Sequence, residues 1–178
     1  MDDYFRRLGL PVTFVLTSFI WENLIYSGLG PRRGPDGVIA LTLPMGDAPL
    51  PGIAADDIGP AVASIFKDKK YIGKRIGLAG EHPTCVQMAA VLTKVLGKYV
   101  KYNPIPPATF AKLGERDVEN KKVHVQGAHE LANMFQFKRE HSDLYCGNRP
   151  VSLGKKLHPG LKSFEEWTKI HKSAFFAS

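Results

Sequence analysis

The sequence predicts an α/β protein: the later part of a parallel sheet, followed by a smaller helical subdomain, with the glycine-rich dinucleotide-binding half in front of them absent. Three observations predict this. Val12 to Phe19 is a near-continuous run of apolar and β-branched residues, the pattern of a parallel strand covered on both faces. Short strand patterns alternate with capped apolar helical stripes up to about residue 103, and only helical patterns follow. No Gly-x-Gly-x-x-Gly follows an opening strand, and that turn is what seats a dinucleotide's phosphates on a helix N-terminus.

Taken in order, residues 2–8 read as the end of a helix closed by Gly9, and the apolar strand from Val12 follows. Trp21-Glu22-Asn23-Leu24-Ile25 starts a helix ending near Gly28 or Gly30, and residues 31–37 are rich in turn formers. Val38 to Pro44 is a second strand, and Met45 to Ile53 is a Pro/Gly-rich crossing. Asp56 or Asp57 is expected to cap a helix that carries Ile58, Val62, Ile65 and Phe66 on one face. Ile76 to Ala79 is a short strand. Thr84 and Gln87 form a capping box for a helix with Met88, Val91, Leu92, Val95 and Leu96 inward, and Gly97 stands at its C′ position. Tyr99 to Tyr102 is the last strand. A short helix runs from Pro106 to Gly114 and a longer one from Gly127 to about His141; Ser163 and Glu166 then box the start of a terminal helix with Phe164, Trp167 and Ile170 as its stripe. The organisation is one domain over 1–178, with sheet to about 103 and helices from about 104.

The 178 residues are enough for a real core. The net charge of +7 favours acidic partners, but the lysines stand in separate groups, Lys67-Asp68-Lys69-Lys70, Lys121-Lys122 and Lys155-Lys156, with no interleaved aromatics. Direct nucleic-acid binding is therefore not expected, nor is a membrane partner, since no apolar run is long enough to span one. Cys85 and Cys146 match no metal spacing and read as two reduced thiols, and no signal peptide opens the chain. Cytoplasm is the expected location, with the nucleus as a second.

Local catalytic signatures are lacking. No tyrosine is followed four residues later by a lysine, the acid pair of short-chain dehydrogenases. His124 and His129 are five apart, as are His141 and Cys146, which suits neither one helical face nor a metal, so no metal site is expected. No Gly-x-Ser-x-Gly occurs. Cys85 lies in the first turn of its helix, where the dipole could lower its pKa, though a small buried residue is the simpler reading.

Several segments, in order, carry a resemblance: Tyr4-Phe5-Arg6 with Gly9 and Pro11; Trp21-Glu22-Asn23-Leu24; Leu43-Pro44 with Gly46-Asp47; Asp57-Ile58-Gly59-Pro60; Tyr71-Ile72-Gly73-Lys74; Leu131-Ala132-Asn133-Met134-Phe135; and Trp167 with His171-Lys172. Together they resemble the C-terminal half of the NmrA-like family, the atypical short-chain dehydrogenase-like proteins, and within it the NADPH-sensor branch. The resemblance implies a Rossmann-like sheet and an NADP(H)-binding redox sensor that regulates protein partners, here shortened and weak in cofactor binding. Carried over by position, Ile20, Trp21, Glu22 and Asn23 are the cofactor-binding residues; Ile20 departs from the aromatic expected there. The physical reading agrees, because the carboxyl ends of parallel strands form the ligand crevice of such sheets, and an indole face and a carboxamide suit a nicotinamide. A core-packed Trp21 with Asn23 as a cap is the competing reading of the same residues. The alternative function is an NAD(P)H-dependent reductase of a small quinone-like or phenolic substrate. No catalytic residue is assigned, and the exposed edge expected on the Val12–Phe19 strand implies self-association.

Overall fold

The computed structural model describes residues 2–119 and 125–176. Helix α1 (Asp2–Arg7) has acids in its first turn and arginines in its last, and Gly9 closes it with φ of 65°. The expected strand from Val12 is present but divided. Strand β1 (Phe14–Leu16) runs parallel to β6 (Arg75–Gly77), and β2 (Phe19–Ile20) runs parallel to β5 (Gly52–Ile53). The break falls at Thr17-Ser18, where the chain changes partner and the Thr17 carbonyl accepts a hydrogen bond from Arg149 Nε at 3.1 Å. Full coverage of both faces is not observed: all three residues of β1 are half-buried, and among the described residues no strand pairs with its other edge.

Strands β3 (Arg32–Arg33), β4 (Ile39–Leu43) and β7 (Val100–Pro104) form a separate sheet, with β3 antiparallel and β7 parallel to the central β4. Burial alternates along β4, with Ile39, Leu41 and Leu43 inward, because successive side chains point to opposite faces.

Helix α3 (Ala55–Phe66) differs from expectation at its start. Its N-cap is Ala54, with no side-chain cap, and Asp57 is turned inward and fully buried. There Asp57 accepts the Lys162 backbone N–H at 2.9 Å and the Lys162 ammonium at 2.5 Å, with His158 Nε2 at 3.4 Å. A carboxylate that would be an ordinary cap in solution is held by longer-range partners.

Helix α4 (Cys85–Leu96) has the expected capping box, with Gly97 at φ of 71°. Helix α5 (Pro107–Glu119) runs through the glycine expected to end it. Gly114 is instead the point of close approach to α6 (Val125–Glu140), since a Cβ there would come within 2.7 Å of the Ala128 methyl. Two short helices were not anticipated, α7 (Ser142–Gly147) and α8 (Val151–Leu157). Helix α9 (Phe164–Ile170) opens on the expected Ser163–Glu166 box. Among the described residues no strand follows Pro104, and no helix is long and apolar enough to cross a membrane.

The apolar residues form two clusters. The larger joins Phe19, Trp21, β4, α4, Phe135 and α9; the smaller joins Ile53, Ala61, Ile65, Tyr71, Ile76, Leu78, Leu157 and Leu161. Their seam is marked by Asp57, which ties α3 to the segment just before α9.

Candidate functional site at the carboxyl end of the first strands

The expected cofactor residues lie where β2 ends and α2 (Asn23–Tyr26) begins. Ile20 is half-buried and in register with Ile53. Trp21 is fully buried, and its backbone N–H donates to the Ile53 carbonyl at 3.1 Å. Its indole meets Phe164 at 5.4 Å and Trp167 at 5.9 Å between ring centres. It also lies on Gly52, where a Cβ would come 2.0 Å from Nε1, so only glycine fits there. The indole face expected for a nicotinamide is thus sealed by aromatic neighbours, and residue 21 has only main chain to offer a ligand.

Glu22 is a tie between elements. Its carboxylate accepts the Ala55 N–H of α3 at 3.0 Å and the Trp167 indole N–H of α9 at 2.9 Å. Asn23 accepts the Ser27 hydroxyl at 3.1 Å through Oδ1, and its carbonyl accepts the Leu29 N–H at 3.2 Å. The segment is therefore rigidly set, with Glu22 as its fastener and the Asn23 carboxamide at the helix start.

A second group stands beside it that the sequence reading missed. Lys138 of α6 is 5% exposed, and its ammonium lies 5.7 Å from the Phe19 ring, 5.6 Å from Phe135 and 5.4 Å from Tyr145. Among the described residues no carboxylate pairs with it. Burial, helped by the positive charge of Arg149, pushes this lysine down to about 8. The Arg149 guanidinium stacks 3.7 Å from the Tyr145 ring centre and donates to the carbonyls of Thr17 and Tyr145. The Ser18 hydroxyl, next to Phe19, is buried without a hydrogen-bond partner among the described residues. The contact runs from Tyr145 of α7 to Arg149, which lies in the bend between α7 and α8.

Beyond Asn23 a cleft of about 880 Å³ opens between the Leu24–Arg32 segment, β4 and the α5–α6 pair, with Ile25, Leu29, Thr42, Phe110 and Leu131 on its walls. Cys85 lies elsewhere, fully buried in the first turn of α4, and burial pushes its thiol up to about 12, so desolvation outweighs the helix dipole. Among the described residues no three of His, Cys, Asp and Glu gather as a metal would need. His129 pairs with Glu115, while His124 and the Lys121-Lys122 group lie outside the described residues.

The sequence profile of the NmrA-like family matches residues 1–168. The chain belongs to the NmrA-like family. Among curated relatives, the nitrogen metabolite repression protein nmr of Neurospora crassa is 32% identical over 182 aligned positions, covering 95% of this chain and 36% of that protein. The nitrogen metabolite repression protein nmrA of Emericella nidulans is 37% identical over 113 positions, covering 60% of this chain and 32% of that one. Crystals of NmrA, described as a negative transcriptional regulator, superpose with a TM-score of 0.74 at 26% identity, over 97% of this chain and 57% of theirs. The same regulator has been crystallised with NAD, at a TM-score of 0.72, and with NADP, at 0.69, both 27% identical to this chain. The NmrA-like chain described here thus spans little more than half the length of the solved regulator and about a third of the curated relatives.

Lys138 gives this NmrA-like chain a distinctive pH response. Its lowered value means that between pH ~8 and ~10.4 the unfolded chain binds more protons than the folded one, so its contribution to stability rises with pH there. Below that window the buried charge costs about 3 kcal/mol relative to a neutral side chain, before the ring contacts offset part of it. The Lys138→Met variant is expected to gain most over the parent near pH ~7, and the gap should shrink by about 3 kcal/mol by pH ~10.5. Urea unfolding of both chains across that range measures it. A gap independent of pH would mean that the ammonium is not desolvated in the fold.

Proposed function

We propose that the chain is the cofactor-edge and partner-facing portion of an NADP(H)-binding redox sensor, which regulates other proteins rather than turning over a substrate. In this reading the main chain of Ile20, Trp21 and Glu22 and the carboxamide of Asn23 border the nicotinamide end of the cofactor. The residues fit that task in part: a rigid strand end and a polar helix start are available, whereas the Trp21 indole is not. NADP(H), when bound, supplies a redox state to be read. The chain's own contribution is to hold one edge of it and to transmit its presence.

The observation that carries the reading is the Glu22 tie. One carboxylate fastens the cofactor-bordering segment to both α3 and α9, so a small displacement of residues 20–23 is passed to two helices. The edge of β1, left unpaired among the described residues, also suits association with a second chain.

The test is a calorimetric NADPH titration of the 178-residue chain, with tryptophan emission read in parallel. Weak, saturable binding is expected, with a dissociation constant of about 0.1–1 mM, and Asn23→Ala should weaken it by about three- to tenfold. Absence of both heat and emission change from a folded chain would sink the cofactor reading.

The reductase reading draws on the cleft beyond Asn23, whose volume of about 880 Å³ suits a small aromatic molecule. It requires that the same samples consume NADPH when a benzoquinone is added. NADPH bound but not consumed leaves the regulatory reading alone.

A further inference from the structure

Lysines that stand apart in the sequence are brought together by the fold. Helix α3 ends in Phe66 with Lys67 as its C-cap, a single 3₁₀ turn holds Lys69 and Lys70, and Lys74 stands just before β6. Helix α8 packs against α3 and carries Lys155 and Lys156 in its last turn. The hydrogen bonds that Lys70 donates to Asp68 hold its carboxyl below the usual carboxylate range, and the charge of Lys156 on α8 adds to this. All six lysines are exposed, and among the described residues only Lys70 has an acidic partner, Asp68.

Two exposed apolar side chains are interspersed with these lysines along the chain. Phe66 is 83% exposed, the most exposed of the large hydrophobic residues described, and Ile72 is 46% exposed. Lysines at the carboxyl ends of helices are explained by the helix dipole, which accounts for the C-cap Lys67 and for Lys155 and Lys156 in the last turn of α8. That explanation does not reach Lys69 and Lys74, and it gives no reason for a phenylalanine standing in water among them.

The position of the face matters as much as its charge. Lys74 adjoins the amino ends of β1 and β6, its carbonyl accepting the Phe14 N–H at 2.9 Å. Ligands of open parallel sheets sit at the carboxyl ends, where residues 20–23 are. The face is therefore at the other end of the strands from the cofactor edge and is not a seat for its phosphates.

We propose that this face docks an acidic protein segment in which large apolar side chains interleave with Asp and Glu, with Phe66 as the apolar anchor and the lysines steering the approach. The existence of a partner rests on the regulatory reading; its chemistry is read from this face alone. A nucleic-acid strand is gripped by several stacking rings, and one exposed ring is offered here. A lipid surface asks for a broad apolar face and would meet the Asp68 carboxylate in the middle of this one. A peptide can place its acids on Lys69, Lys74 and Lys155 while an apolar side chain covers Phe66.

The probe is a short labelled synthetic peptide alternating Glu and Asp with Leu and Phe, followed by fluorescence anisotropy with the full chain. Saturable binding is expected, weakened about tenfold by the double variant Lys69→Glu, Lys74→Glu and about fivefold by Phe66→Ala. Lys101→Glu, an exposed change on β7, should leave it unaltered. All these positions are on the surface, so thermal unfolding should confirm that each variant folds. Three results overturn the proposal: no binding by the folded chain; equal binding of a peptide whose apolar residues are serine, with Phe66→Ala silent; or tighter capture of phosphatidylserine vesicles or single-stranded DNA in competition with the peptide. NADPH titration of the same samples separates the two claims, since loss of cofactor binding with peptide binding intact would sink only the sensor reading.

Discussion

Asp57→Ala should cost about 3–5 kcal/mol of unfolding free energy, the range for removing one partner from a buried ion pair. The carboxylate is fully buried, with every contact made to the segment that leads into α9. Without it the Lys162 N–H loses its acceptor and the ammonium of that residue must find water through a partly open path. Asp57→Asn keeps the shape and one acceptor oxygen but removes the charge, so it should fall between the parent and the alanine variant. Urea unfolding followed by tryptophan emission measures both. An alanine variant within about 1 kcal/mol of the parent would mean that the contact holds nothing together.

The second large effect separates two tryptophans that look alike by burial. Trp21 and Trp167 are both fully inaccessible and touch each other. The Trp167 indole N–H is bound by Glu22, whereas the Trp21 indole N–H is buried with no partner among the described residues. Phenylalanine at 167 deletes a charge-assisted hydrogen bond and opens a void, and should cost about 3 kcal/mol. Phenylalanine at 21 opens a similar void but removes an unsatisfied donor, so it should cost less by about 1–2 kcal/mol. Equal costs for the two variants would sink the assignment of Glu22 as the fastener of this segment.

Much of this architecture was legible in the sequence wherever the governing contacts are local. The boxes at Thr84–Gln87 and Ser163–Glu166, the left-handed Gly97 and the stripe of α4 each depend on residues within a turn or two, and each is found. What was misread depends on distant chain. Asp57 looked like a cap because its partners, His158 and Lys162, lie some hundred residues away. Gly114 looked like a stop because the close approach of Ala128 was invisible. The strand from Val12 reads as one piece until Arg149 meets Thr17 at the break. At the candidate site, the position of Ile20–Asn23 at a strand end was legible, but not which of its side chains face inward. Lys138 gave no signal at all, since a buried lysine looks in sequence like any other on a helix.

The two apolar clusters have a consequence for signalling. The proposed cofactor edge is built on the cluster that holds Trp21 and α9, and the basic face on the one that holds Ile65, Tyr71 and Leu157. Allosteric coupling between the two has routes at Asp57, at the Trp21–Ile53 hydrogen bond and at the Glu22–Ala55 hydrogen bond. Its size is one free energy read from either side: whatever factor NADPH imposes on the affinity for a docked segment, that segment must impose on the affinity for NADPH. A partner that tightens cofactor binding would therefore be one that the cofactor recruits.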